Sequence, residues 1–287
     1  MSLIGTMGSG VSALRTFMKG LEVIGNNIAN VNTTGFKASE AKYADSFSNI
    51  MQRSAPSTGN SSNTSAMGVG TGVKMSGITT NFTQGSLSST GRDTDLGISG
   101  SGFFHVKNPV DGSEYATRSG DFRWTDEGYL VSPQGFRVQG AANGAVADVK
   151  LGTPPNGTQR QSVTIDRLGN VVEFYSDGTS KSNNQVLLQS FNDVSALVSE
   201  GGNLYSGMVA AGPVGATAGS SALKADGTNA PGSNGLGRIQ SGTLELSNVD
   251  LTDQFANLIT TQRSFQAGSR LVTVSDSVLE DIVNLKR

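Results

Sequence analysis

Few side chains in this 287-residue chain could do covalent chemistry. There is no cysteine and a single histidine, His105, which removes thiol nucleophiles, disulfides, Cys/His zinc sites and two-histidine metal motifs. Ser39-Glu40-Ala41-Lys42 has the Ser-x-x-Lys spacing of a serine nucleophile beside a lysine base, but no Lys-Thr-Gly or Ser-Asp-Asn accompanies it. Arg92-Asp93-Thr94-Asp95 gathers carboxylates without the alternating ligands and bidentate glutamate of a calcium loop, and reads as surface turn chemistry. In Gly5-Thr6-Met7-Gly8-Ser9-Gly10 and Gly68-Val69-Gly70-Thr71-Gly72, bare amides could cradle a phosphate. Neither segment carries Gly-Lys-Ser/Thr or joins a strand to a helix, so both read as turns or helix starts. His105 follows Phe103-Phe104 and precedes Val106, which predicts an imidazole turned out of a sheet or satisfied at its margin. Trp124 reads as packed against its own hairpin. The residues therefore specify no catalytic, cofactor or metal site.

Composition narrows the partners. Lys and Arg total 21 against 23 Asp and Glu, so no basic footprint exists for phosphate backbones or anionic lipid, and nucleic acid is not expected as a partner. No run approaches the apolar length of a membrane span, so no membrane insertion is expected. The first residues, Met1-Ser2-Leu3-Ile4-Gly5-Thr6, lack a secretory signal's basic start and long apolar stretch; any export would use a route that removes no such peptide.

What must position any functional surface is the chain's periodicity. Met7, Val11, Leu14, Met18, Leu21 and Ile28, with Gly25 in the remaining slot, recur at 4-3-4-3 spacing, a narrow stripe suited to a helix lying along another helix. From Leu3 to Asn30 that helix would run about 42 Å, stopping at Asn30-Val31-Asn32-Thr33-Thr34-Gly35 where left-handed backbone is tolerated. The C-terminus repeats the pattern with Leu251, Phe255, Leu258, Phe265, Val272 and Leu279, drifting to Leu271, Val278, Ile282 and Leu285. Ser247 with Asp250 suits its start, Lys286 and Arg287 its end. The span is about 55 Å, and Gly268 in its interior costs about 1 kcal/mol relative to Ala. A pair of such helices with Gly25, Gln262 and Ser269 on the seams makes a poor core alone, so these stripes are expected to find mates on further copies.

Between the ends the sequence is β-type, with Gly contributing 38 residues. Val73–Phe82, Leu96–Ile98, Phe103–Val106, Tyr129–Val131, Phe136–Val138, Val163–Ile165, Val171–Phe174 and Val186–Leu188 read as strands. Turns fall at Asp126–Gly128, Ser132–Gly135, Leu168–Asn170 and Asp177-Gly178. Ser54–Ala66 and Gly212–Gly237 are too small and polar for a core and read as linkers or flexible loops. The expected fold is α+β: terminal helices form a coiled-coil-like stalk, residues 1–66 pair with 241–287, and a β-rich body spans 67–240.

Four stretches are recognisable: Gly25-Asn26-Asn27-Ile28-Ala29-Asn30-Val31-Asn32-Thr33-Thr34-Gly35-Phe36-Lys37; Phe82-Thr83-Gln84-Gly85 on to Gly102-Phe103-Phe104; Thr117-Arg118-Ser119-Gly120-Asp121-Phe122 with Gly128-Tyr129-Leu130-Val131; and Ser247-Asn248-Val249-Asp250-Leu251 on to Asn284-Leu285-Lys286-Arg287. On these the chain resembles the flagellar axial family of rod and hook proteins, most closely its hook branch. The resemblance implies a non-enzymatic structural subunit without cofactor, exported through the flagellar type III apparatus. It would polymerise into a hollow helical tube of the hook that transmits torque from rod to filament. The implied partners are further copies of the chain, the neighbouring rod, hook-cap and hook–filament junction proteins and the export apparatus; the implied location is the hook and basal body, outside the cell. Gly97, Thr94 and Gly268 depart from the family pattern. Hook proteins commonly insert outer β domains after Phe136-Arg137-Val138-Gln139-Gly140, and the short stretch here keeps a distal-rod subunit as the alternative. From another class, an extracellular β-domain hydrolase or lectin on a helical stalk would need a pocket of convergent titratable groups.

Overall fold

The computed structural model describes residues 3–54, 56, 63, 65–142, 144–154, 158–215 and 223–285. The chain forms two compact units: Met1–Ala29, Ser39–Asn81 and Asp250–Arg287 make the first, Asn30–Ala38 and Phe82–Val249 the second. The divisions expected at 66/67 and 240/241 therefore fall inside units. Residues 39–81 go with the helices, and the strands up to Glu245 go with the β body.

In the first unit α1 runs Leu3–Ala29. It ends where expected: Thr33 N–H and hydroxyl both turn back to Asn30, and Gly35 takes φ +69°, a conformation costly for residues with a Cβ. The second helix, α2, runs Leu251–Leu285. Its cap is Asp250 and not Ser247: Asp250 Oδ1 accepts from Thr252 N–H at 2.7 Å and from Asp253 N–H at 3.4 Å, while Ser247 Oγ accepts from Val249 N–H. A carboxylate satisfies two orphan amides and suits the positive helix end. The expected basic end, Lys286 and Arg287, lies outside the described residues.

A long antiparallel ribbon completes this unit. Ser39–Asp45 pairs with Val73–Thr80, with an irregularity at Lys42/Tyr43. Bonds from Ser46 N–H to Gly72 O and from Thr71 N–H to Phe47 O carry the ribbon on to Ser48–Gln52 paired with Met67–Gly70. The linker read at Ser54–Ala66 lies largely outside the described residues.

The body is built on one antiparallel sheet. Its main path runs Arg160–Ile165, Asn170–Tyr175, Ser180–Val186, Arg137–Ala142, Phe103–Lys107, Glu114–Thr117, Leu204–Ser206, Val198–Gly201. The expected hairpin turns are present, with Gly135 at φ +87° and Gly169 at +79°. Alternation along Phe103–Lys107 sends Phe104 and Val106 into the main core with Leu96, Ile98 and Leu130, and Phe103 into a second cluster with Phe191, Tyr205 and Met208. With apolar clusters on both faces, this strand buries His105 too.

The other expected linker, Gly212–Gly237, is largely a packed segment. Leu223, Asn229 and Leu236 are buried, and Asn229 Nδ2 donates to Leu188 O and Gln189 Oε1, both at 3.2 Å. Side-chain and turn hydrogen bonds satisfy a backbone whose composition promised none. Residues 216–222 of this tract lie outside the described ones.

Candidate self-assembly interface

The two helices lie antiparallel, and the residues that meet are mostly small or polar. Thr6 Oγ1 approaches Ser275 Oγ at 3.5 Å, and Asn27 Nδ2 donates to Gln254 Oε1 at 3.1 Å. Between them Gly10 faces Val272, Gly268 faces Ala13 and Leu14, and Gly20 faces Thr261. Glycines let the backbones approach closely: a Cβ on Gly10 would stand 2.9 Å from Val272 Cγ2. An adjoining side of α1 packs on the ribbon, where Asn27 exchanges two hydrogen bonds with the Ser39 backbone, Thr16 Oγ1 donates to Val73 O, and Phe17 meets Tyr43 edge-on at 5.9 Å.

The apolar stripe read from the sequence is only partly covered within the subunit. Leu14 faces Gly268 across the seam, and Leu271 and Val272 face Gly10. Met7, Leu21, Ile28, Leu258, Phe265 and Leu279 are half-buried, while Val11, Met18, Leu251, Phe255, Ile282 and Leu285 are exposed. Of the described residues of α2, only Gly268 and Ser275 are buried. The ribbon adds Phe47, Ile50, Met51 and Met67, all more than half exposed. Between the first turns of α1 and the ribbon lies a groove of about 400 Å³ lined by Gly5, Gly8, Ser9, Asn49, Met51 and Val69. Exposed apolar side chains thus lie on α1, α2 and the ribbon alike. The small seam residues and the ribbon's apolar face went unread in the sequence. Their signals were the spacing of Gly10, Gly20, Thr261 and Gly268, and the apolar positions of an otherwise polar segment.

The other residues with potential chemistry are kept apart. Lys42 pairs with Glu40 at 2.7 Å while Ser39 Oγ lies 3.5 Å from Thr80 Oγ1, so strand alternation separates Ser39 from Lys42. Asp95 is a buried carboxylate and not a surface turn residue; Oδ2 accepts from Thr90 at 2.6 Å, and Oδ1 has no hydrogen-bond partner. His105 is neither turned out nor satisfied. It is 2 % exposed, neither ring nitrogen is hydrogen-bonded, and Nε2 stands 3.6 Å from Glu114 Oε2. Trp124 pairs through its strand with Leu130 and packs on the main core. Gly5–Gly10 lies inside α1, and Gly68-Val69-Gly70 within a ribbon strand.

One buried charge cluster was not anticipated as a unit. Glu245 accepts from Lys37 Nζ at 2.6 Å and from Arg118 Nη1 at 3.2 Å, with all three side chains almost fully buried. Burial pushes the Lys37 ammonium and the Arg118 guanidinium below their ordinary values, and Glu245 opposes both shifts.

Comparison with known proteins fits these segments. Residues 7–37 match the family described as flagella basal body rod protein, 97–173 the flagellar hook protein FlgE/F/G D1 domain, and 240–285 the flagellar basal body rod FlgEFG protein C-terminal region. The flagellar basal-body rod protein FlgG of Bacillus subtilis is 35 % identical over 285 residues, covering 99 % of this chain and 100 % of that protein. The chain belongs to the flagellar rod and hook family. FlgG of Borreliella burgdorferi is 31 % identical over 289 residues, covering 100 % of the chain and 99 % of that protein. The flagellar hook protein FlgE of Treponema pallidum is 40 % identical over 144 residues, only 50 % of this chain and 31 % of that hook protein. The expected closeness to the hook branch therefore gives way: end-to-end likeness runs to rod proteins, and likeness to this hook protein covers half the chain. The chain is a structural component of the flagellum's axial rod and hook family, and the matched segments carry most of α1, the first half of the body and α2 respectively.

Proposed function

We propose that the chain is a non-enzymatic subunit of the distal flagellar rod, polymerising helically with its own copies through the outward faces of α1, α2 and the ribbon. The carrying observation is the end-to-end likeness to rod proteins from two distant organisms. The helices supply the physical means, because their apolar side chains remain uncovered while their mutual seam is small and polar. In this reading the tube is hollow and carries torque toward the hook, and each subunit reaches the growing end through the type III export apparatus. Neighbouring rod and hook proteins cover its two ends. Gold labelling of the epitope-tagged chain in purified hook-basal bodies tests the assignment. Label on the rod below the hook is expected; label distributed along the hook would overturn it in favour of a hook subunit.

A further inference from the structure

The buried cluster Lys37, Arg118 and Glu245 joins segments far apart in sequence. Glu245 Oε1 accepts from Lys37 Nζ and also from Gly85 N–H at 2.9 Å, Oε2 takes Arg118, and the Glu245 carbonyl accepts from Gly35 N–H at 2.8 Å. Lys37 Nζ donates further to Thr83 O at 2.7 Å, and Asn248 ties Ala38 N–H to the same Thr83 carbonyl. Three stretches are thereby stapled together: 35–38, 83–85 and 245–248. All lie in the second unit, beside three of the four places where the chain crosses between the units, 38/39, 81/82 and 249/250; the fourth, 29/30, opens the Asn30–Ala38 stretch to which residues 35–38 belong. Force exerted by the body through the backbone at those three crossings passes along them.

We propose that this cluster is a mechanical clamp that fixes the body ends of those connections to one another while the subunit carries torque. The inference rests on the torque-bearing reading above, rod or hook alike. Apolar packing is non-directional and slides; charge-assisted hydrogen bonds are directional and short. Separating one partner here strands a buried charge, a strongly unfavourable state. Equilibrium stability alone does not call for such a cluster, since buried ion groups are often replaced by apolar residues of similar size without loss. A clamp and a mere stabiliser therefore predict different outcomes.

The test is the triple variant Lys37→Met, Arg118→Met, Glu245→Gln, expressed as the only copy in the cell; the glutamine oxygen keeps an acceptor for Gly85 N–H. The expected result is assembled flagella and an unchanged thermal midpoint, with rotation of attached beads normal at low viscous load and lost at high load, whereas Lys37→Arg alone retains rotation at high load. A torque–speed curve matching wild type at every load would overturn the clamp. Should the triple variant not assemble, amide exchange on its purified full-length chain, which strands no buried charge, decides. Faster exchange at Gly35, Ala38 and Gly85 supports the clamp, and unchanged exchange there overturns it. Failure of the rod assignment would appear separately, as label along the hook with these readouts intact.

Discussion

Phe255 offers the sharpest measure of whether the uncovered helix faces drive assembly. A phenylalanine side chain can bury about 200 Å², and Phe255 is 50 % exposed, so about 100 Å² remains for a neighbouring copy to cover. At about 25 cal/mol per Å² that is about 2.5 kcal/mol per subunit, which converts to about a 60-fold rise in the critical concentration for polymerisation when Phe255 is replaced by Ala. The monomer should barely notice, because alanine favours helix and an exposed substitution stays within about 0.5 kcal/mol. Sedimentation of polymer from a dilution series gives the critical concentration, and circular dichroism gives the thermal midpoint. Leu14→Ala is the contrast, since Leu14 is half-buried and faces Gly268 within the subunit, and its loss should lower the midpoint. A Phe255→Ala chain that polymerises at the wild-type concentration would refute the reasoning.

Further expectations concern the seam and the body. A Cβ on Gly20 would run into Tyr43 Oη, with Tyr43 Cζ at 3.4 Å and Thr261 Cγ2 at 3.6 Å behind it. Gly20→Ala should thus cost about 1–3 kcal/mol in chemical denaturation, and adding Tyr43→Phe should restore most of it; no restoration would place the strain elsewhere. Gly268→Ala behaves oppositely, since its nearest neighbours would be Leu14 Cδ2 at 3.5 Å and Ala13 Cβ at 3.8 Å, ordinary contacts. It should stabilise by about 1 kcal/mol through helix propensity, and a lowered thermal midpoint would contradict that. Burial pushes the Tyr205 phenol up to about 12. The unfolded chain ionises first, near pH 10, so stability is undiminished below that and falls above it, by about 1.3 kcal/mol at pH 11. Tyr205→Phe should remove that increment between about pH 9 and pH 11, and equal pH slopes for both proteins would refute it.

The helices, most body strands and their turns were legible because each is governed by local rules: heptad spacing, glycine at positive φ, alternation. What the sequence concealed was governed by partners distant along the chain. Ser39–Gln52 looks too polar for strands, and becomes one arm of a ribbon because residues 67–80 offer it a ladder. Gly212–Gly237 reads as a linker, yet Asn229 anchors it by bonds to residues 188 and 189. The stripe follows the large side chains, and the small residues that face one another between the helices, Gly10, Gly20 and Gly268, carry no periodic apolar signal. Lys37, Arg118 and Glu245 are ordinary charges in sequence. Only the fold makes them one cluster.

The small and polar residues between the helices bear on how such a subunit could be both deliverable and durable. Within one copy, α1 and α2 meet through glycine, threonine, serine and amide side chains. Hydrogen bonds there contribute about 0.5–1.5 kcal/mol each, and the small side chains bury little apolar area. The large side chains that could hold the helices firmly point elsewhere: Phe255, Ile282 and Leu285 on α2, Val11 and Met18 on α1. On the self-assembly reading, such helices gain stability when neighbouring copies cover those faces, and stability becomes a function of local subunit concentration. The body differs, with a continuous apolar core and a buried charge cluster of its own. On the rod reading, the consequence is a division of labour. The helices stay weakly committed until the growing end supplies their mates, and the body, already folded, grips the connections through which the finished tube is turned.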